Sequence, residues 1–202
     1  MVFWKWCGAG LAVLLSGCGF GGYDPVQFEV NGEAIVARGV IDASTLRAFD
    51  EITAQYPDNK VLVLQNVPGS ADDEANLVLA QKVRARGFNT VVPASGMVAS
   101  GGTDLFVAGV NRELKAGACV GVHSWATIFY EGRDLDRDDP DHQPYLDFYD
   151  VMGIPQSFYW YTLDVASVDD IHWMTATEAD QYRMTTRGGG ALGADASCEA
   201  RF

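Results

Sequence analysis

Apolar positions along the chain fall into short unbroken runs that alternate with longer stretches of helical spacing. "KVLVLQN" (60–66) is apolar on successive positions, the pattern of a strand buried on both faces. "PGS" breaks it, and "ADDEANLVLAQKVRARG" (71–87) follows with acids at its start, bases at its end and Gly87 as a stop. That order of charges suits a helix dipole, and a terminal glycine suits a left-handed cap. The cycle then repeats, with "FNTVVP" as a strand, a Gly/Ser-rich loop and "GTDLFVAGVN" as a helix. "ACVGVHSW" reads as a further strand. Upstream, "VQFEV" and "EAIVARG" flank Asn31-Gly32, which predicts a hairpin with a type I′ turn. "DASTLRAFDEITAQY" carries Leu46, Phe49 and Ile52 at helical spacing, with Asp42 or Ser44 as its cap. Downstream, "YLDFYDVMGI" reads as helical. "TATEADQYRM" reads as a short helix with Thr175 and Glu178 as a capping box. Strands alternating with helices predict an α/β fold around a largely parallel sheet.

The two ends of the chain stand outside this pattern. Residues 1–17 place Lys5 before an apolar segment too short to span a bilayer, the layout of a secretory signal. "LSGC" (15–18) resembles the lipobox of bacterial lipoproteins, which implies cleavage before Cys18 and acylation of its thiol. Several acyl chains anchor a protein stably where one is marginal. Residues 18–25 then read as a lipidated tether, 26–186 as one domain, and the Gly-rich segment 187–202 as a flexible tail. The implied location is the periplasmic face of a bacterial membrane. Gly19, in place of an aspartate that retains lipoproteins at the inner membrane, points to the outer one.

A net charge of −13 argues against nucleic acid as a partner. Of the four cysteines, Cys119 and Cys198 remain after the signal and the lipid site, and an oxidising compartment allows them to pair.

Three strand ends carry the candidate chemistry: "QNVPGS", "SGMVASGG" and "GVHSW". Ligands of parallel sheets bind beyond the carboxyl ends of strands. Ser100 falls where a helix begins, among unpaired N–H groups. His123, at the end of the later strand, is a candidate base for it. Either residue alone has a plainer reading, a helix cap for Ser100 and a half-buried core side chain for His123.

These stretches resemble the ClpP/crotonase superfamily. "GMVASGG" is similar to its Gly-x-Ala-Ala-Ser-Met-Gly nucleophile motif, "LQNVPGS" to its strand-ending Asn-Ser-Pro-Gly-Gly, and "GVHS" to its histidine strand. "DDIHWMTATEADQY" resembles the segment where a Clp-type aspartate precedes Ser/Thr-Ala-x-Glu-Ala. The likeness covers roughly 33–186 and comes closest to the small periplasmic branch, beside the Clp proteolytic subunit and signal peptide peptidase A. It implies repeated β-β-α units, a Ser100–His123–Asp170 triad, and an oxyanion hole from backbone N–H groups of Gly69 or Ser70 with Gly101. It implies a peptidase acting on peptide or other acyl substrates, with no cofactor or metal, and assembly into a homo-oligomer. Two departures stand out: Val67 replaces the family's Ser and Ser70 its second Gly. The third triad member is open between Asp170 and its neighbour Asp169. A Ser–Lys dyad is disfavoured, because Lys60, Lys82 and Lys115 are the mature chain's only lysines.

The remaining candidates are weaker. "DLDRDDPDHQP" (134–144) lacks the Gly and terminal Glu of a calcium loop and reads as a solvated acidic loop. His142 and His172 form no zinc spacing with the cysteines. The aromatic run Phe158–Tyr161 exceeds what one strand face buries, so it reads as core, with an oligomer interface or apolar substrate groove as the alternative. Two function classes follow: a lipid-anchored periplasmic serine hydrolase, or a non-catalytic envelope module that keeps the fold.

Overall fold

The computed structural model describes residues 22–186 and 188–202; the signal segment and the Cys18 lipid site lie outside the described residues. The chain forms strands β1 (Gln27–Asn31), β2 (Ala34–Arg38), β3 (Val61–Val67), β4 (Asn89–Val92), β5 (Met97–Ala99), β6 (Arg112–Leu114), β7 (Cys119–Val122) and β8 (His172–Trp173). The helices are α1 (Ala43–Gln55), α2 (Asp73–Ala85), α3 (Gly101–Val107), α4 (Gln143–Met152), α5 (Gln156–Val165), α6 (Ala176–Gln181) and α7 (Asp195–Glu199).

All eight strands join one mostly parallel sheet. β2 runs parallel to β3, and β3 is shared along its length. Its first residues pair with β4, Val61 opposite Asn89, while its last pair with β5, Asn66 opposite Met97. β6 extends the first tier beside β4, and β7 extends the second beside β5. Only β1 and β8, at the edges, are antiparallel. Pro93 follows β4 and has no N–H for a ladder, so the chain breaks there and restarts as β5. The unit β4-β5-α3 is therefore a β-β-α repeat. The split sheet brings the ends of β3, β5 and β7 side by side.

The helix signals hold in detail. Asp42 caps α1 by accepting the Ser44 N–H at 2.9 Å, and Thr45 completes a capping box. Thr175 and Glu178 form the second capping box, on α6. Phe49 of α1 packs on Phe88 with ring centres 5.4 Å apart, joining the helix to the sheet core of Ile35, Leu62 and Leu64.

Several elements differ from the sequence expectation. The hairpin turn is centred on Gly32-Glu33, one residue later than Asn31-Gly32, because Asn31 still pairs with Ala34. Gly32 takes φ +60°, which suits a turn with glycine first. β5 and β6 were hidden inside a presumed loop and helix end. The aromatic run is the helix α5, not a strand: Phe158, Tyr159, Thr162 and Leu163 form its buried face at i, i+1, i+4, i+5.

The tether and tail also differ. Val40 N–H donates to Asp24 O at 2.9 Å, so the fold begins within the expected tether. The C-terminal segment is no loose tail. α7 carries Cys198 into a disulfide with Cys119, and Arg201 donates to the carbonyls of Gly117 at 2.9 Å and Gly96 at 3.1 Å. Residues separated by 79 positions are thus covalently stapled, which composition alone could not reveal.

Candidate active site

Ser100 links β5 to α3 and occupies the N-cap position of that helix with φ +50° and ψ −128°. Non-glycine residues rarely adopt positive φ, and such strain concentrates where a side chain must be aimed. Its hydroxyl makes no capping bond. The plain reading of Ser100 as a helix cap therefore fails, since its side chain is left free. Ser95, the other serine of the loop, is exposed and accepts a bond from Gln65 Nε2 at 3.2 Å.

The glycines around Ser100 are required by close packing. A Cβ on Gly101 would lie 2.7 Å from Ser70 Cβ and 2.9 Å from Asn76 Nδ2. A Cβ on Gly102 would run into the Val67 carbonyl, so α3 meets the end of β3 only without side chains. Gly69 lies against the nucleophile candidate: its Cβ would stand 3.3 Å from Ser100 Cβ and 3.7 Å from Oγ. Ile41, in the β2–α1 connection, donates its N–H to Gly69 O and accepts from Ala71 N–H, which pins the turn after β3. The N–H groups of Gly69 and Ser70 donate to no acceptor among the described residues. Gly101, first in its helix, likewise has no intrahelical acceptor for its N–H. Ser70 uses its hydroxyl inward, donating to Asp73 Oδ1.

His123 follows β7 and lines the same recess and the same open groove as Ser100. No hydrogen bond joins the two side chains, and His123 Nδ1 is buried without a partner among the described residues. Burial holds its imidazole below the usual histidine range, against the pull of the Ser124 backbone, Asp73 and Glu131. A neutral imidazole is the form that accepts a proton.

Asp170 lies elsewhere on this histidine. It shares with His123 a groove of about 280 Å³ together with Asp169, Trp173 and Phe202. Its Oδ1 accepts the Ile171 N–H at 2.8 Å and makes no bond to His123. The structure thus brings Ser100, His123, Gly69, Ser70 and Gly101 together, and leaves Asp170 on the rim.

Four polar residues beside the site carried no functional reading in the sequence. Asp73 accepts from Ser70 and from Tyr145 Oη, the latter at 2.9 Å. Asp104 accepts from Tyr149 Oη and lies 3.5 Å from Asn76 Nδ2. Burial raises the Asp104 carboxyl to about 7, with the Tyr149 bond opposing and the charge of Asp73 reinforcing the shift. Asp73 looked like a dipole acid of a helix start. Asp104 gave one signal, a lone acid directly before the apolar stretch "LFVAG" (105–109) in a short buried helix. The acidic loop is also not merely solvated: His142 is buried, with Nδ1 2.6 Å from Tyr159 Oη.

A strained serine and a buried histidine thus stand at adjacent strand ends of an α/β fold, with glycine N–H groups around them. No family model and no curated protein matches the sequence. Solved structures do. A mutant of the 1510-N membrane-bound stomatin-specific protease, in complex with a substrate peptide, superposes with a TM-score of 0.51 at 14% identity. That match covers 80% of this chain and 73% of the other. A Bacillus subtilis protein assigned to polyketide biosynthesis as an enoyl-CoA hydratase gives 0.54 at 13% identity, covering 89% and 75%. An enoyl-CoA hydratase/isomerase family protein from Silicibacter pomeroyi gives 0.50 at 10%, covering 87% and 79%. The chain has the ClpP/crotonase-like fold, with its mostly parallel central sheet.

Proposed function

We propose that the protein is a serine hydrolase acting on peptide or related acyl bonds, with Ser100 as nucleophile and His123 as base. The observation that carries this reading is the backbone of Ser100: a strained φ of +50° at a helix start, with a hydroxyl that caps nothing. Attack by Oγ on a carbonyl transfers its proton to His123 and places negative charge on the carbonyl oxygen. The free N–H groups of Gly69 or Ser70 and of Gly101 would receive that charge; one such donor is typically worth about 100- to 1000-fold in rate. A serine nucleophile suits acyl transfer from peptides, esters and thioesters alike, and the solved protease with its bound substrate peptide supports a peptide substrate.

The catalytic unit in this reading is a Ser–His pair, with Asp170 a rim residue in place of the triad aspartate expected from the sequence. Its carboxylate is engaged by a backbone N–H, and the His123 nitrogen remains unpartnered. Anchoring through Cys18 at the periplasmic face, and the outer-membrane choice, rest on residues 1–19 of the sequence. The Cys119–Cys198 disulfide supports an oxidising compartment. Assembly into an oligomer belongs to the same proposal and rests on the resemblance alone.

A fluorophosphonate probe tests the chemistry on the purified protein. Labelling that disappears in Ser100→Ala and falls sharply in His123→Ala supports the hydrolase. A folded wild-type protein that takes up no probe refutes it and leaves the non-catalytic envelope module.

A further inference from the structure

Behind Ser100 the open groove narrows into a recess of about 30 Å³. Asp73, Ser100, His123, Trp125 and Tyr145 line both, so the recess is reached past the nucleophile. A water needs roughly 10–15 Å³ of such space, so the recess admits one small polar group and no ring. The outer groove has a volume of about 380 Å³.

The walls of the recess favour positive charge. Trp125, Tyr145 and Tyr159 form a continuous stack, with interplanar angles of 13° and 12°. Trp125 donates its Nε1–H to Tyr159 Oη at 2.8 Å, fixing the stack. Asp73 lines both the groove and the recess, and Asp104 lines the recess alone. Their partners are hydroxyls and an amide, and among the described residues neither meets a lysine or arginine. Their hydrogen bonds are satisfied without a cation, and Asp104, raised to about 7 by burial, takes on its full charge only above that pH or with a cation beside it.

We infer that this recess is a specificity subsite for a primary ammonium group, carried on a lysine-like side chain of the acyl substrate. An ammonium is water-sized, whereas a planar guanidinium with five N–H groups would not enter. Carboxylates attract a desolvated cation. The proposal rests on the hydrolase reading for its placement next to the bond cleaved.

The test compares Nα-blocked p-nitrophenyl esters of lysine, norleucine and arginine, which differ in the head group on similar stems. The expected result is a kcat/KM for lysine about tenfold or more above norleucine, with arginine below lysine. In Asp104→Asn the lysine-to-norleucine ratio falls toward one. Norleucine turned over as well as lysine by the wild type, in a Ser100-dependent manner, overturns the subsite and leaves the hydrolase standing. Absence of both turnover and probe labelling refutes the hydrolase instead, and thermal denaturation then reads the recess directly. Stabilisation by n-butylammonium chloride beyond that by sodium chloride, lost in Asp104→Asn, supports the subsite. Equal effects of the two salts overturn it.

Discussion

The N–H of Ser100 donates to the carbonyl of Gly121 at 3.1 Å, two residues before His123. The parallel ladder immediately below pairs Ala99 with Gly121. The proposed nucleophile and base are therefore set by one strand pair, and their backbones cannot drift apart without breaking it. Asp170 has no such tie. It sits in the connection before β8, outside the ladder that joins Gly121 to Trp173.

This difference predicts unequal effects of mutation. His123→Ala should lower the Ser100-dependent rate by about 100- to 10,000-fold, the usual range for losing a general base. Asp170→Asn should cost less than about tenfold, whereas an aspartate that truly holds the histidine is worth about 10,000-fold. Steady-state kcat/KM on an activated ester measures both. A large loss in Asp170→Asn, with the melting temperature unchanged, would restore the triad.

The glycines separate packing from catalysis. Gly101→Ala forces a methyl against Ser70 Cβ at 2.7 Å, between side chains already bonded to Asp73 and Gly101 O. It should destabilise the fold by about 1–3 kcal/mol, the cost of overpacking. Gly69→Ala meets only Ser100 Cβ at 3.3 Å and has no positive φ to strain it. Its stability should stay within about 1 kcal/mol of wild type while activity falls, because the methyl crowds the nucleophile rather than the core. Urea unfolding beside esterase kinetics distinguishes the two. A stable, fully active Gly69→Ala variant would remove Gly69 from the site.

The acid limb of the activity profile reports His123. Only the neutral imidazole accepts the Ser100 proton, and burial lowers its pKa from the ordinary 6.5. Activity should therefore rise with pH with a midpoint below 6.5 and stay high into mildly acidic buffer. Asp73 and Glu131 oppose this shift, so Glu131→Gln should move the midpoint lower still. A midpoint above 6.5 would show that these carboxylates, not burial, govern the ring.

Much of this was readable from residue order, for physical reasons. Buried parallel strands such as β3 announce themselves as unbroken apolar runs, and α1, α2 and α6 carry caps in their own side chains. β5 and β6 were not readable because three-residue strands between glycines lack any period. The run that forms α5 reads as core but not as a particular element, because aromatic side chains satisfy both strand and helix patterns until the neighbours on each face are known. Ser100 and His123 stand out in the sequence because such side chains are unusual together at strand ends. Asp73 and Asp104 were missed because an acid at a helix start normally faces water. What makes them exceptional is α4, whose Tyr145 and Tyr149 reach them from about 40 to 70 residues away in sequence.

Asp104 makes stability depend on pH in an unusual direction. Its carboxyl is raised from 3.8 to about 7, so the folded state binds a proton that the unfolded state releases. That contribution is full below 3.8 and is lost as pH climbs to about 7. Asp104→Asn keeps an acceptor for Tyr149 without the charge. The variant should gain on the wild type as pH rises from 5 to 8, measured as the difference in melting temperature. A constant difference across that range would mean that Asp104 is ionised throughout.

The disulfide should act on stability more than on chemistry. Cys119 opens β7, four residues before His123, and Cys198 lies in α7 across a separation of 79 residues. Closing so long a loop constrains the unfolded chain by about 4 kcal/mol in the entropic account, with about 2–4 kcal/mol typical in practice. Reduction should accordingly lower the melting temperature by roughly 5–15 °C. β7 would still be held by β5 and β8, so His123 keeps its place at the strand end. Phosphonate labelling of Ser100 well below the new melting point should therefore persist after reduction. The C-terminal residues Glu199 and Phe202 line the Asp170 groove, on the other side of His123 from Ser100's recess. Labelling that vanished on reduction of a still-folded protein would mean that this segment shapes the reacting face, and that the staple serves the site as well as the fold.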